Sequence, residues 1–326
     1  MAMGEPVTLA SALNRALADA LEEDPAVLVM GEDVGRLGGV FRVTDGLHDK
    51  HGDARVIDTP LSESGIIGAA IGLAMRGYRP VCEIQFDGFV FPAFDQITTQ
   101  LAKHHARSEG RTRLPVTIRI PYGGGIGAVE HHSESPEAYF AHTAGLRIVT
   151  CSHARDGYQM LRQAIACDDP VIFLEPKRRY WDRAELGPVA EGLFQSRVVR
   201  AGTEATVICY GPTVRTCLEA AGLADEEDGV SLEVIDLRSL SPLDLGPVFE
   251  SVVRTGRCVV VHEAPVFGGL GAEIAARVTE HCFFSLEAPV LRVGAPHAPY
   301  PPSKLEHLYL PDVDRILDAV DTVRGM

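Results

Sequence analysis

The sequence predicts an α/β protein with mostly parallel sheets, divided into two domains. Short runs rich in β-branched residues alternate with helical patterns along the whole chain, as strands joined by crossover helices do. The alternation breaks once, from Glu175 to Gln195, where the chain turns polar and carries Pro176 and Pro188, and then restarts. At 326 residues the chain is about twice the usual domain length.

Taken in order, Thr8 can cap a helix with Leu9, Leu13, Leu17 and Leu21 on one side, ended near Pro25. Ala26–Met30 and Val56–Ile57 read as strands. Ser62–Arg76 reads as a helix that is apolar nearly all round, hence buried. Pro80–Phe86, Val116–Ile120, Leu146–Thr150 and Val171–Leu174 follow as strands, with helices over Phe94–Arg107 and Ala154–Ala166. After the break come strands at Ala205–Tyr210, Val230–Ile235, Cys258–His262 and Val290–Val293. Helices are expected at Val214–Ala224, Leu243–Arg254, Gly271–Cys282 and Val313–Val323.

Composition excludes several classes. The net charge is −15, which argues against a general nucleic-acid binder and against an anionic membrane surface as partner. No apolar run reaches the roughly 18 residues that span a bilayer. Met1–Leu13 lacks a basic n-region and a long apolar h-region, so no secretory signal is expected, and a cytoplasmic location is. The seven cysteines are scattered, form no C-x-x-C and sit mostly in apolar runs, as free buried thiols in a reducing compartment would.

Four features could carry chemistry. In Asp58-Thr59-Pro60-Leu61-Ser62-Glu63-Ser64-Gly65, carboxylates stand where a strand ends and an apolar helix begins. Such a carboxylate can simply cap the helix. It can also be functional: set against the wall formed by Ile66, Ile67, Ala70 and Ile71, it loses solvation, which suits proton exchange with a weakly basic partner. Gly123, Gly125 and Ala128 fit a dinucleotide fingerprint, but no amphipathic helix follows, so a tight loop is the better reading. His131-His132, with His104-His105 and His142 elsewhere, match no metal-ligand spacing; a loop histidine beside glycines is either solvated or a proton donor. His262-Glu263 opens into Gly268-Gly269-Leu270-Gly271, where the glycines are read as permitting close packing. Gly68 and Gly72 lie four apart on one helix and would let another backbone approach, in this chain or across an interface.

Together these segments resemble the β subunit of the E1 component of 2-oxo acid dehydrogenase complexes. The motifs are DTPLSESGIIGAAIGLAMRGYRP (58–80), EIQFDGFVFPAFDQI (83–97), HSESPEAYFAH (132–142), FLEPK (173–177), EVIDLRSLSPLD (233–244) and HEAPVFGG (262–269). FPAFDQI and HSESPEAYFAH look more like the branched-chain enzymes than the pyruvate enzymes. The resemblance implies two doubly wound domains of transketolase type. Residues 1–185 would bind the pyrimidine of thiamine diphosphate, 186–203 would be a linker, and 204–326 would contact other subunits and E2.

The implied reaction is oxidative decarboxylation of a branched-chain 2-oxo acid, with the acyl group passed to lipoyl-E2. Pyruvate or acetoin is the alternative substrate, and a non-catalytic scaffold subunit the distant alternative. Glu63 matches the glutamate that hydrogen-bonds the cofactor's ring nitrogen N1′. Leu61, Gln85, Phe86 and Phe89 match positions around the aminopyrimidine; Phe89 stands where the branched-chain family can carry a tyrosine. His132 matches a histidine that acts in reductive acylation of the lipoyl disulfide. The superfamily holds Mg²⁺ and the diphosphate with a G-D-G…N motif, and this chain has no GDG, only Gly52-Asp53-Ala54. That implies an E1 α subunit carrying the other half of the site, in an α2β2 heterotetramer. Some members bind K⁺ through backbone oxygens near the positions matching Val116, Thr117, Cys167 and Asp169, and the resemblance carries that expectation here.

Overall fold

A computed structural model describes residues 5–326. Its first sheet has seven strands. From one edge they run Ser239–Ser241, Arg147–Thr150, Val171–Pro176, Thr117–Tyr122, Arg79–Glu83, Val27–Gly31 and Val56–Asp58. All pairs are parallel except the edge strand Ser239–Ser241. The second sheet orders Leu291–Ala295, Cys258–Pro265, Ala205–Cys209, Leu232–Asp236 and Arg197–Arg200, the last antiparallel. The central strands are wholly buried, which is why they read as continuous apolar runs.

Local chemistry fixes the helices. Thr8 caps Leu9–Glu23 by accepting the Ser11 N–H at 3.1 Å. That helix buries all four predicted leucines and packs with Ala154–Ala166 on one face of the first sheet. The other face shares one apolar cluster with the second sheet, from Ile118 and Ile172 through Tyr210 and Ile235 to Val260. The two sheets therefore share one apolar core, to which the helices between them contribute.

Three features add to the sequence expectations. The segment 186–203 is not all linker: Arg197–Arg200 is an edge strand of the second sheet. Its Arg-Val-Val-Arg pattern leaves Val198 exposed, as edge strands allow, so no apolar run marked it. Residues 204–326 also supply Ser239–Ser241, which closes the edge of the first sheet. Finally, the helix Glu63–Met75 is apolar all round but buries only Ile66, Ile67, Ala70 and Ala74. Gly65, Ala69, Gly72 and Met75 face outward, and nothing lies within 4 Å of where a Cβ on Gly72 would stand. All seven cysteines are free.

Candidate active site

The loops that hold the predicted site residues leave the carboxyl ends of the first sheet's strands, where α/β sheets gather their chemistry. Glu63 opens its helix behind Val56–Asp58. Ser62, at the cap position, makes no capping hydrogen bond. Asp58 is structural: its Oδ1 accepts the Gly35 N–H at 2.6 Å, and a Cβ on Gly35 would overlap that carboxylate. Glu63 is half-buried and, among the described residues, unpartnered by any hydrogen bond.

Two acidic neighbours went unnoticed in the sequence. Glu32 and Asp33 follow the strand Val27–Gly31 directly. Burial pushes the Glu32 carboxyl above its ordinary value, and Asp33 and Glu63 add to the push. Gln85 Nε2 donates to Asp33 Oδ2 at 3.3 Å and to the Glu32 carbonyl at 3.5 Å. Gln85 is thus tied to the acidic pair, and the pair feels the Glu63 charge. The signal was Gly31-Glu32-Asp33 at the end of a strand.

The residue after Gln85 begins an aromatic shelf. Phe86 and Phe89 meet edge-on at 5.8 Å, and His132 lies on Phe86 at 3.9 Å and edge-on to Phe89 at 5.1 Å. The His132 Nδ1 is buried without a partner. Burial, and then His131, lower its pKa below the usual 6.5, so the ring is neutral at pH 7. His131 is exposed beside it. Leu61 is 74% exposed on the approach to Glu63. An interdomain cleft of about 700 Å³ begins where the histidine loop continues, at Ser133 and Glu134, and is walled by Phe94, Tyr139 and Tyr300.

Beneath the shelf, Arg119 lies wholly buried between Glu175, at 2.6 Å and 2.9 Å, and Glu83, at 2.6 Å. Burial opposes the guanidinium's charge, but Glu175 and Glu83 outweigh it and hold the group cationic. This triad ties three adjacent strands together, and no spacing in the sequence marks it.

The remaining motifs resolve differently. The Gly123–Gly127 loop spends its amides on carboxylates of this chain: Gly124 N–H on Glu263, and Gly125 N–H on Glu306 at 2.8 Å. Only the single 3₁₀ turn Glu130–His132 follows it before Pro136, so no amphipathic helix opens there, as expected. A Cβ on Gly269 would stand 2.7 Å from the His262 ring and one on Gly271 2.5 Å, so those glycines serve packing. Among the described residues no group of three or more His, Cys, Asp or Glu is arranged to hold a metal. Val116, Thr117, Cys167 and Asp169 lie at the amino ends of strands, remote from Glu63. The Val116 carbonyl accepts the Val171 N–H at 2.9 Å and the Cys167 carbonyl accepts Arg79 at 3.2 Å, so an ion there would share both oxygens.

Comparison with known proteins agrees with this layout. Residues 5–181 match the transketolase pyrimidine binding domain, and 195–316 the transketolase C-terminal domain. The pyruvate dehydrogenase E1 component subunit beta of Leifsonia xyli subsp. xyli is 60% identical over 97% of this chain and 94% of its own. The 3-methyl-2-oxobutanoate dehydrogenase subunit beta of Mycobacterium tuberculosis is 54% identical over 98% and 92%. The 2-oxoisovalerate dehydrogenase subunit beta of Pseudomonas aeruginosa is 45% identical over 95% and 93%. A solved split gene transketolase chain, an inactive beta4 tetramer, superposes with a TM-score of 0.80 at 22% identity over 98% of both chains, which bears on the fold alone. Fold and matches together define a two-domain protein of the transketolase class. Within that class, the chain belongs to the family of E1 β subunits of 2-oxo acid dehydrogenase complexes, enzymes of the acyl-transferring oxidoreductase type.

Proposed function

We propose that this chain is the β half of an α2β2 enzyme that oxidatively decarboxylates a branched-chain 2-oxo acid and passes the acyl group to lipoyl-E2. The observation that carries the reading is a half-built site. An unpartnered carboxylate, Glu63, heads a helix whose outward face is apolar and open, next to an aromatic shelf bearing a neutral histidine. The residues fit an aminopyrimidine. Glu63 would accept a ring N–H, Phe86, Phe89 and Leu61 would cover the ring's faces, and Gln85 would hold its edge. Thiamine diphosphate, when bound, supplies the electron sink that decarboxylation requires. His132 is neutral at pH 7 and its Nε2, unlike the buried Nδ1, is open, so it can take or give a proton at the mouth of the site. The diphosphate and its Mg²⁺ are assigned to the α subunit, whose surface would cover Gly65, Ala69 and Gly72. The branched-chain preference rests on FPAFDQI and HSESPEAYFAH and on the names of two relatives; the name of the 60% identical relative favours pyruvate.

The test is a decarboxylation assay with an artificial electron acceptor, Mg²⁺ and thiamine diphosphate, with and without the co-purified α subunit. Activity is expected only with the partner, and with a higher kcat/KM for 3-methyl-2-oxobutanoate than for pyruvate. Glu63→Gln should abolish turnover and leave α–β assembly intact on a sizing column. Turnover by the chain alone would overturn the split site, and preference for pyruvate would overturn the substrate.

A further inference from the structure

We infer that the buried ion pair Asp87–Lys177 is a positioning device that grips the histidine loop and sets His132 on Phe86. The inference rests on the proposed role of His132 toward the lipoyl group. Asp87 and Lys177 are each 1% exposed and pair directly. Burying two charges is costly, and an apolar pair would fill the same space at no such cost, so the pair calls for a local reason. Its contacts supply one. Asp87 follows Phe86 in the chain, and its Oδ2 accepts the Glu134 N–H at 2.8 Å, two residues beyond His132. Lys177, at the end of the strand Val171–Pro176, also reaches the Pro121 carbonyl at 3.4 Å. On the other side of His132, Gly88 lies under the His131 backbone; a Cβ there would overlap its carbonyl oxygen and stand 2.8 Å from its Cβ. The loop is thus held on both flanks of His132 by the two residues that follow Phe86.

The ring makes no hydrogen bond to another side chain among the described residues, so its place is set by this backbone grip and by the stack on Phe86. The charged and titratable groups that act on it are His131, Asp87 and Lys177, and the last two oppose each other. The pair therefore fixes the ring without imposing a net charge on it. Lys177 Nζ also lies 5.7 Å from the centre of the Phe86 ring, so the pair acts on His132 both through the loop and through the ring on which the histidine stacks.

The experiment compares the α–β enzyme with the double variant Asp87→Asn/Lys177→Met, which removes both charges and leaves neither unpaired. Two rates are read: decarboxylation with an artificial acceptor, and reductive acylation of a free lipoyl domain. The acylation rate should fall about 10–100-fold, the usual cost of misplacing a reacting group by about an ångström. The dye-linked rate should stay within about twofold. Hydrogen exchange of the full chain supplies a readout free of catalysis: the peptide over 129–136 should exchange faster while the strands stay protected. Gly88→Ala displaces the loop without touching the pair and should give the same split, which covers the case in which the double variant does not fold. Unchanged exchange over 129–136, or equal loss of both rates in both variants, would overturn the inference. If His132→Ala leaves acylation intact while exchange over 129–136 still rises in the double variant, the role of the histidine fails and the grip stands.

Discussion

Glu137→Gln should make this protein more stable, and only above about pH 5. Glu137 begins the helix Glu137–Ala141 and is wholly buried. Tyr210, from the second domain, donates to its Oε1 at 2.8 Å, and its Oε2 has no partner. Burial pushes the carboxyl up from 4.5 to about 7; its own backbone N–H and the Tyr210 hydroxyl pull the other way, and Glu263 adds to the rise. The folded chain then keeps a proton that the unfolded chain releases above pH 4.5. Stability is greatest below that value, falls as pH rises toward 7, and stays reduced beyond it. A shift of about 2.5 units at 1.36 kcal/mol each is about 3 kcal/mol, of which about 2–3 kcal/mol falls between pH 5 and pH 8. Glutamine copies the protonated acid: it can accept from Tyr210 and has nothing to ionise. For 326 residues the unfolding entropy is about 0.7 kcal/mol per degree, so the variant should melt about 3–4 °C above the parent at pH 8 and near it at pH 5. Calorimetry of the α–β assembly at both values decides it. A melting difference that does not change with pH would refute the ionisation argument.

Two further perturbations test the scaffold. Arg119→Met leaves Glu83 and Glu175 facing each other in the core and should cost about 3–5 kcal/mol, lowering the denaturation midpoint; adding Glu83→Gln and Glu175→Gln should recover most of it. Gly124→Ala places a Cβ on the Tyr300 hydroxyl, at a contact between the two domains, and should cost about 1–3 kcal/mol. In a Tyr300→Ala background the same change should cost less than half as much, and a double-mutant cycle in denaturant measures the difference.

Most of the fold was legible because parallel sheets bury both faces of their strands. Val27–Gly31, Thr117–Tyr122 and Ala205–Cys209 announce themselves as apolar runs, and Thr8 and Leu9–Leu21 announce the first helix by cap and spacing. The pieces that escaped notice are those whose burial comes from elsewhere. Ser239–Ser241 is three residues of Ser-Leu-Ser, held by pairing with Arg147–Thr150 across the domain boundary, and Arg197–Arg200 is a half-exposed edge. The polar core was equally silent. Arg119, Glu83 and Glu175 come from three strands separated in sequence; the register of the sheet sets Arg119 opposite Glu83 and puts Glu175 on the same face two residues past its partner Phe173.

The site divides along the same line. Glu63, Gln85, Phe86 and His132 could be singled out by motif, yet their chemistry depends on neighbours that spacing does not reveal: Glu32 and Asp33 beside Glu63, Asp87 and Lys177 behind His132. The helix Glu63–Met75 shows why. Its sequence is apolar on every side, and a helix of that kind must be buried on every side. This chain covers the side of Ile66, Ile67, Ala70 and Ala74 and leaves Gly65, Ala69 and Gly72 bare, a strip too small-sided to pack on anything but another closely approaching backbone. The pattern that looked like one burial is therefore half met within this chain, and in the proposed assembly the α subunit would supply the other half. Glu63 sits at the seam between them, which is where a carboxylate would be open to a cofactor before assembly and shut away from water after it.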